Sequence, residues 1–257
     1  MEINWNLVKE MTLWHYEDLI RKMLKVLSYS FVQEYYSHTM KEAGYYLKKL
    51  LGYNPKYEEY ATKLSNNFQK LDSLKIQNYA DLVHRVETRE KCEEFLRSTE
   101  IPFQELISTL NYIFRWVLPF RNVYLSQLVE TSNEPQKTYI SKLRKHDIRF
   151  NLDILELART KEGRIRLPEE TEIPEAFISD LVNRADLTRL PYMSRKTVDH
   201  LCSAGYTSID KLARVHAKKL KEDMKTYFDE KGIKLGSFID IEGLACWARA
   251  VPKIIEV

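Results

Sequence analysis

Apolar positions along this chain recur three and four residues apart, and strand-like alternation is short wherever it occurs. Leu19, Ile20, Met23, Leu24 and Leu27 form one stripe opposite Glu17, Asp18, Arg21, Lys22 and Lys25, which predicts an amphipathic helix. A second helix is predicted through Val32, Tyr35, Tyr36, Met40, Ala43, Tyr46, Leu47 and Leu50, stopped by Gly52 and Asn54-Pro55. The most regular stretch is Asn183 to Val215. There Leu187 and Leu190 lead into Pro191-Tyr192-Met193-Ser194, and Thr197, Val198 and Leu201 resume the stripe. Ala204-Gly205 closes that helix, and Ser208 caps the next, which carries Ile209, Leu212 and Val215. The pattern is that of a helix-hairpin-helix unit. Beyond it the spacing predicts a basic amphipathic helix from His216 to about Asp229, a Lys231-Gly232 turn and a link through Gly236-Ser237. A last helix, Ile239 to Ala250, points Leu244, Trp247 and Ala248 inward.

The chain also repeats itself at a shift of 72 residues: Ile76 falls on Ile148, Thr88 on Thr160 and Leu106 on Ile178. Thr99-Glu100-Ile101-Pro102 recurs unchanged as Thr171-Glu172-Ile173-Pro174, and Asn111 and Leu118-Pro119 recur as Asn183 and Leu190-Pro191. A shorter element occurs three times, anchored by Leu71/Ile76/Leu82, Leu143/Ile148/Ile154 and Leu201/Tyr206/Leu212. The segment from Pro119 to Leu143 is longer than its later counterpart, and the surplus predicts an extra helix followed by a Ser-Asn-Glu-Pro turn. The expected architecture is therefore all-α. An aromatic N-terminal helical hairpin (1–60) precedes two tandem helix-hairpin-helix domains, a degenerate one at 61–145 and a second at 146–257.

Composition narrows function more than fold. The chain has 257 residues, 44% hydrophobic and 30% charged, with a net charge of +3, seven Gly and eight Pro. That charge is small for a protein that lives by non-specific phosphate binding, and glycine-rich phosphate loops are scarce. Cys92, Cys202 and Cys246 lack CxxC spacing and read as reduced thiols of a cytoplasmic protein. The start lacks a basic segment followed by an apolar one, and no apolar run approaches membrane-spanning length. The six histidines show no metal-ligand spacing, and there is no Walker loop, GxGxxG or GxSxG. No cofactor or catalytic residue is expected. Asp199-His200 with Cys202 suggests an activated thiol only weakly, because residues two apart on a helix face different ways.

Thr160-x-x-Gly163-Arg164, Thr171-x-Ile173-Pro174, Val182-Asn183-Arg184-Ala185-Asp186-Leu187-x-Arg189 and the Leu201-to-Leu212 hairpin resemble an uncharacterised prokaryotic family of paired helix-hairpin-helix domains. The resemblance covers residues 142–255 and, through the duplication, 70–141 in degenerate form. It implies an all-α hairpin array and no known activity. Hairpins of this type that grip DNA carry Gly-x-Gly, which lets backbone N–H groups approach a phosphate. Here that place is Tyr192-Met193-Ser194, which argues against φ > 0 and against a phosphate cradle. The turn near Asn133-Glu134-Pro135 also lacks both glycines.

Two functions follow. The first is a non-enzymatic adapter or scaffold that binds protein partners, with Tyr35, Tyr36, Tyr45 and Tyr46 as a partner or homodimer surface. The second is weak, sequence-independent nucleic-acid binding. Its candidates are Arg184, Arg189, Ser194, Arg195, Lys196 and Thr197, with Lys137 and Thr138 in the earlier unit, and Lys218, Lys219, Lys221 and Lys225 on the basic helix. Thr160 is expected to cap a helix and Gly163 to allow a tight turn. No membrane association is expected.

Overall fold

The computed structural model describes residues 3–130, 132–233 and 240–256. The protein is all-α: among the described residues there are sixteen α-helices and no strand. The chain divides into two compact units, Met1–Phe120 and Arg121–Val257. The N-terminal helices thus share a unit with the first copy of the repeat.

The first unit holds α1 (Asn6–Thr12), α2 (Tyr16–Leu27), α3 (Ser30–Tyr35), α4 (Met40–Leu51), α5 (Glu58–Ser73), α6 (Tyr79–Arg85), α7 (Arg89–Thr99) and α8 (Phe103–Tyr112). The predicted α2 stripe is buried at Leu19, Ile20, Met23 and Leu27. The single helix predicted through Val32 to Leu50 is instead two, α3 and α4. Apolar periodicity runs across the break, but Thr39 ends it: its hydroxyl accepts from the Glu42 N–H while the Glu42 carboxylate accepts from the Thr39 N–H. This reciprocal cap starts a new helix at Met40. α8 runs on into a π-helical turn, Ile113–Val117, that buries Trp116.

The second unit holds α9 (Glu134–Lys145), α10 (Asn151–Ala158), α11 (Lys161–Thr171), α12 (Glu175–Leu187), α13 (Arg195–Ser203), α14 (Ile209–Arg214), α15 (Ala217–Glu230) and α16 (Ile241–Ala250). The predicted extra helix before α9 is only a 3₁₀ turn, Leu125–Gln127. Its backbone is spent elsewhere: Leu125 N–H donates to the Arg149 carbonyl and Asn151 N–H to the Val123 carbonyl, both at 2.9 Å. Leu244, Trp247 and Ala248 of α16 are buried as expected. The Gly236-Ser237 link and Ile239 lie outside the described residues.

The duplication survives at the level of single hydrogen bonds. Thr88 caps α7 as Thr160 caps α11, and Glu100 and Glu172 both take left-handed φ, at 54° and 51°. Their carbonyls accept from Lys70 and Lys142, which also stand 72 residues apart. One turn occurs five times among the described residues; after α11 it is left-handed Glu172 followed by Ile173, whose N–H donates to the Pro168 carbonyl at 3.3 Å, and the other four are alike. After α5, α9, α13 and α15, a left-handed residue (Lys75, Asp147, Gly205, Gly232) is followed by an apolar one whose N–H donates five residues back. Those bonds are Ile76 to Leu71, Ile148 to Leu143, Tyr206 to Leu201 and Ile233 to Phe228, at 2.8–3.1 Å. This is the Schellman stop, and the apolar residue on each side closes it over the core.

Candidate functional site: the hairpin face of the second unit

The hairpin between α12 and α13 is set by what it buries. Leu190 and Met193 are 1% and 0% exposed, Pro191 is buried, and the chain between them must reverse within two residues. Tyr192 therefore takes φ = 58°, the left-handed conformation that its side chain argued against. A tyrosine held in this conformation carries a local strain of roughly 1–2 kcal/mol and leaves its ring exposed. The turn is backed from below. Arg121 donates to the Met193 carbonyl, and buried Asn151 ties the Arg121 carbonyl to the Thr188 hydroxyl.

α13 opens with Ser194, whose hydroxyl accepts from the Thr197 N–H at 3.1 Å. Thr197 itself is buried. Arg195 and Lys196 are exposed in the first turn, where cations oppose the helix dipole. Arg195 lies 3.5 Å from Asp199, and Asp199 also meets Arg184 at 3.3 Å. Arg184 is held by Asp180 at 2.7 Å, with the Leu128 carbonyl at 3.4 Å. These groups line an open cleft of about 300 Å³ together with Glu130 and Gln136. Three carboxylates face two guanidiniums in it. Hydrogen bonds from Ser132 hold the Glu130 carboxyl below its usual range, and Arg195 adds to this.

Arg189 is not part of this surface. Its side chain is 0% exposed, paired with buried Asp186 and donating to the Pro252 carbonyl at 3.0 Å. It is a core tether, so it offers nothing to a phosphate. Lys137 pairs with Glu134 at the start of α9, where Thr138 is exposed. On α15, Lys219 pairs with Asp223 and Lys225 with Asp229, while Lys218 and Lys221 are exposed. The Asp180/Arg184 and Arg195/Asp199 pairs stand at four-residue spacings that are visible in the sequence.

His200 turns away from Cys202: its Nδ1 lies 3.2 Å from the Tyr227 hydroxyl and its ring packs on Phe228. Burial pushes the Cys202 thiol up, away from the thiolate. Gly163 does not form a turn. It sits inside α11, where a Cβ would stand 2.1 Å from the Leu157 carbonyl oxygen. Among the described residues, no group of three or more His, Cys, Asp or Glu could hold a metal ion, and no helix is long and apolar enough to cross a membrane.

The N-terminal tyrosines do not share one environment. Tyr36 is 2% exposed and belongs to the core of the first unit, Tyr35 and Tyr46 are half-buried, and Tyr45 is 59% exposed with Lys49 over its ring at 4.3 Å. Tyr46 stacks on His38 at 3.7 Å between ring centroids. Burial holds the His38 imidazole below its ordinary value of 6.5, while Glu42 pulls it up. A histidine lowered on folding resists protonation that the unfolded chain accepts. Stability is then full above pH 6.5 and is lost as pH falls through it. Urea unfolding should show a smaller loss of stability between about pH 7.5 and about pH 5.5 in His38→Phe than in the wild type. Equal losses would exclude His38 as the source.

Residues 135–250 match a domain of unknown function, DUF4332. The matched region runs from the start of α9 to the end of α16, so it takes in the hairpin, the Thr160–Arg164 motif and the mixed-charge cleft apart from Val129 and Glu130. No curated protein and no solved structure matches the chain.

Proposed function

We propose that this protein is a non-enzymatic cytoplasmic adapter, an array of prokaryotic helix-hairpin-helix units that docks other proteins through helical surfaces. The observation that carries this reading is the charge balance of the hairpin face. Arg184 and Arg195 each face an aspartate, and the cleft they border carries more carboxylates than guanidiniums. A phosphate would have to break those pairs, whereas a protein surface of mixed charge can complement them. Exposed Tyr192, standing where a phosphate-gripping hairpin has glycine, fits the same reading. In the first unit Tyr45 is the tyrosine available to a partner or to a second copy.

Weak nucleic-acid binding is the second reading. It is favoured by exposed Lys196, Lys218 and Lys221 and by first turns of α13 and α15 that hold no acid. Fluorescence anisotropy with duplex and single-stranded DNA and RNA separates the two, with Arg195→Glu/Lys196→Glu run beside the wild type. The expected result is no saturable binding at physiological ionic strength. Binding that weakens steeply with salt and collapses in the double variant would replace the adapter reading with the second.

A further inference from the structure

The Thr160-x-x-Gly163-Arg164 motif converges on a distant part of the chain. Thr160 caps α11 through the Gly163 N–H, and bare Gly163 lets α11 lie against the Leu157 carbonyl. The junction of α10 and α11 thereby presents the Ala158 and Arg159 carbonyls beside the first N–H of α11. Arg164 is held there by both carbonyls, at 3.4 and 2.9 Å. Glu256 lies on this junction, at the end of a segment whose Pro252 and Lys253 are tied to Arg189 and Asp210. The Glu256 N–H donates to the Arg159 carbonyl at 3.0 Å, its carbonyl accepts from Arg164 at 2.6 Å, and its carboxylate accepts from the Lys161 N–H at 2.9 Å. Two residues earlier, Ile254 is 2% exposed. A buried aliphatic residue followed two positions later by a glutamate is thus read through backbone and side chain alike.

The first unit also engages the equivalent junction, through different atoms. The Val86 carbonyl, 72 residues before that of Ala158, accepts from the Tyr16 hydroxyl, and Arg89, 72 before Lys161, pairs with Glu17. There the acid comes from a helix whose Tyr16 is fixed in the core. In the second unit it comes from an extended segment. Arg164 is bonded to the Ala158 and Arg159 carbonyls as well as to Glu256, so the junction itself contributes to its position. The polar groups of Glu256 can exchange their partners for water.

We propose that the α10–α11 junction is a docking seat for an extended segment of the form aliphatic-x-glutamate. Residues 252–256 fill it as a strap, and a partner segment of the same chemistry displaces them. The partner rests on the adapter reading, but the seat is testable without it. Full-length protein carrying Glu256→Ala is titrated against a fluorescein-labelled peptide of residues 251–256, with anisotropy as readout and circular dichroism as the check on folding. The variant is expected to bind saturably and the wild type about ten-fold or more weakly, because its own strap competes at high effective concentration. A peptide with alanine at the Glu256 position, and the Glu256→Ala/Arg164→Ala protein, are expected not to bind. Trypsin should cut after Lys253 faster in Glu256→Ala than in the wild type, as seen by intact mass. A folded Glu256→Ala chain that ignores the peptide, or takes the alanine peptide equally well, would overturn the proposal. Peptide binding without any captured protein partner would keep the seat and remove the adapter. A partner that binds wild type and Arg164→Ala alike would keep the adapter and remove the seat.

Discussion

Gly163→Ala should destabilise the second unit by about 3 kcal/mol or more, although alanine is the better helix former by about 1 kcal/mol. The added methyl would stand 2.1 Å from the Leu157 carbonyl oxygen and 3.0 Å from the Ala158 Cα. Both are backbone atoms of α10, so no side chain can swing aside, and α11 must move away from α10 as a body. Gly44, in the middle of α4, is the matched control. Its added methyl would meet nothing nearer than the Ser65 hydroxyl at 3.9 Å. There the same substitution should stabilise the protein, by about 0.5–1 kcal/mol. Urea unfolding of the two variants should give opposite signs. Equal effects would mean that α11 does not approach Leu157 as described.

The second large effect is expected at Asp186. Asp186→Asn leaves Arg189, fully buried, without its counter-charge, and removing one partner of such a pair costs about 3–5 kcal/mol. Replacing both, as Asp186→Leu/Arg189→Met, should cost much less, because no charge is then stranded. About 1 kcal/mol should remain for the lost bond to the Pro252 carbonyl. Equilibrium unfolding of wild type, single and double variants decides it. A single variant as stable as the double would show that Arg189 reaches water. Charge reversal of Arg189 would be a poor probe of nucleic-acid binding for the same reason: it would report on folding.

What the sequence showed and what it hid have a common physical division. Local, repeated chemistry was legible. The Thr88/Thr160 caps and the Thr99–Pro102/Thr171–Pro174 corners announce the repeat, and those caps and corners take the same form in both copies. The break between α3 and α4 was also written locally, in Thr39 and Glu42, but apolar periodicity carried straight across it. Burial decided the rest. Tyr192 is left-handed because Leu190 and Met193 are in the core, and no property of tyrosine foretells that. Glycine often marks a turn, whereas Gly163 serves the close approach of another helix. Arg189 has the sequence setting of a surface cation, yet Asp186 three residues before it is its buried partner. Glu256 and Lys161 stand 95 residues apart, and such a contact leaves no local trace.

Four of the Schellman stops, those after α5, α9, α13 and α15, also supply a set of matched probes. The amides of Ile76, Ile148, Tyr206 and Ile233 each donate the same closing bond, at the same place in a helix end, at 2.8–3.1 Å. Differences in their hydrogen–deuterium exchange would therefore reflect how readily each helix end opens, with bond type and turn geometry held in common. Two of the ends stop at glycine and two at Lys75 and Asp147. Exchange at single-residue resolution would then rank the local opening free energies along one chain, with the left-handed residue as the chief variable.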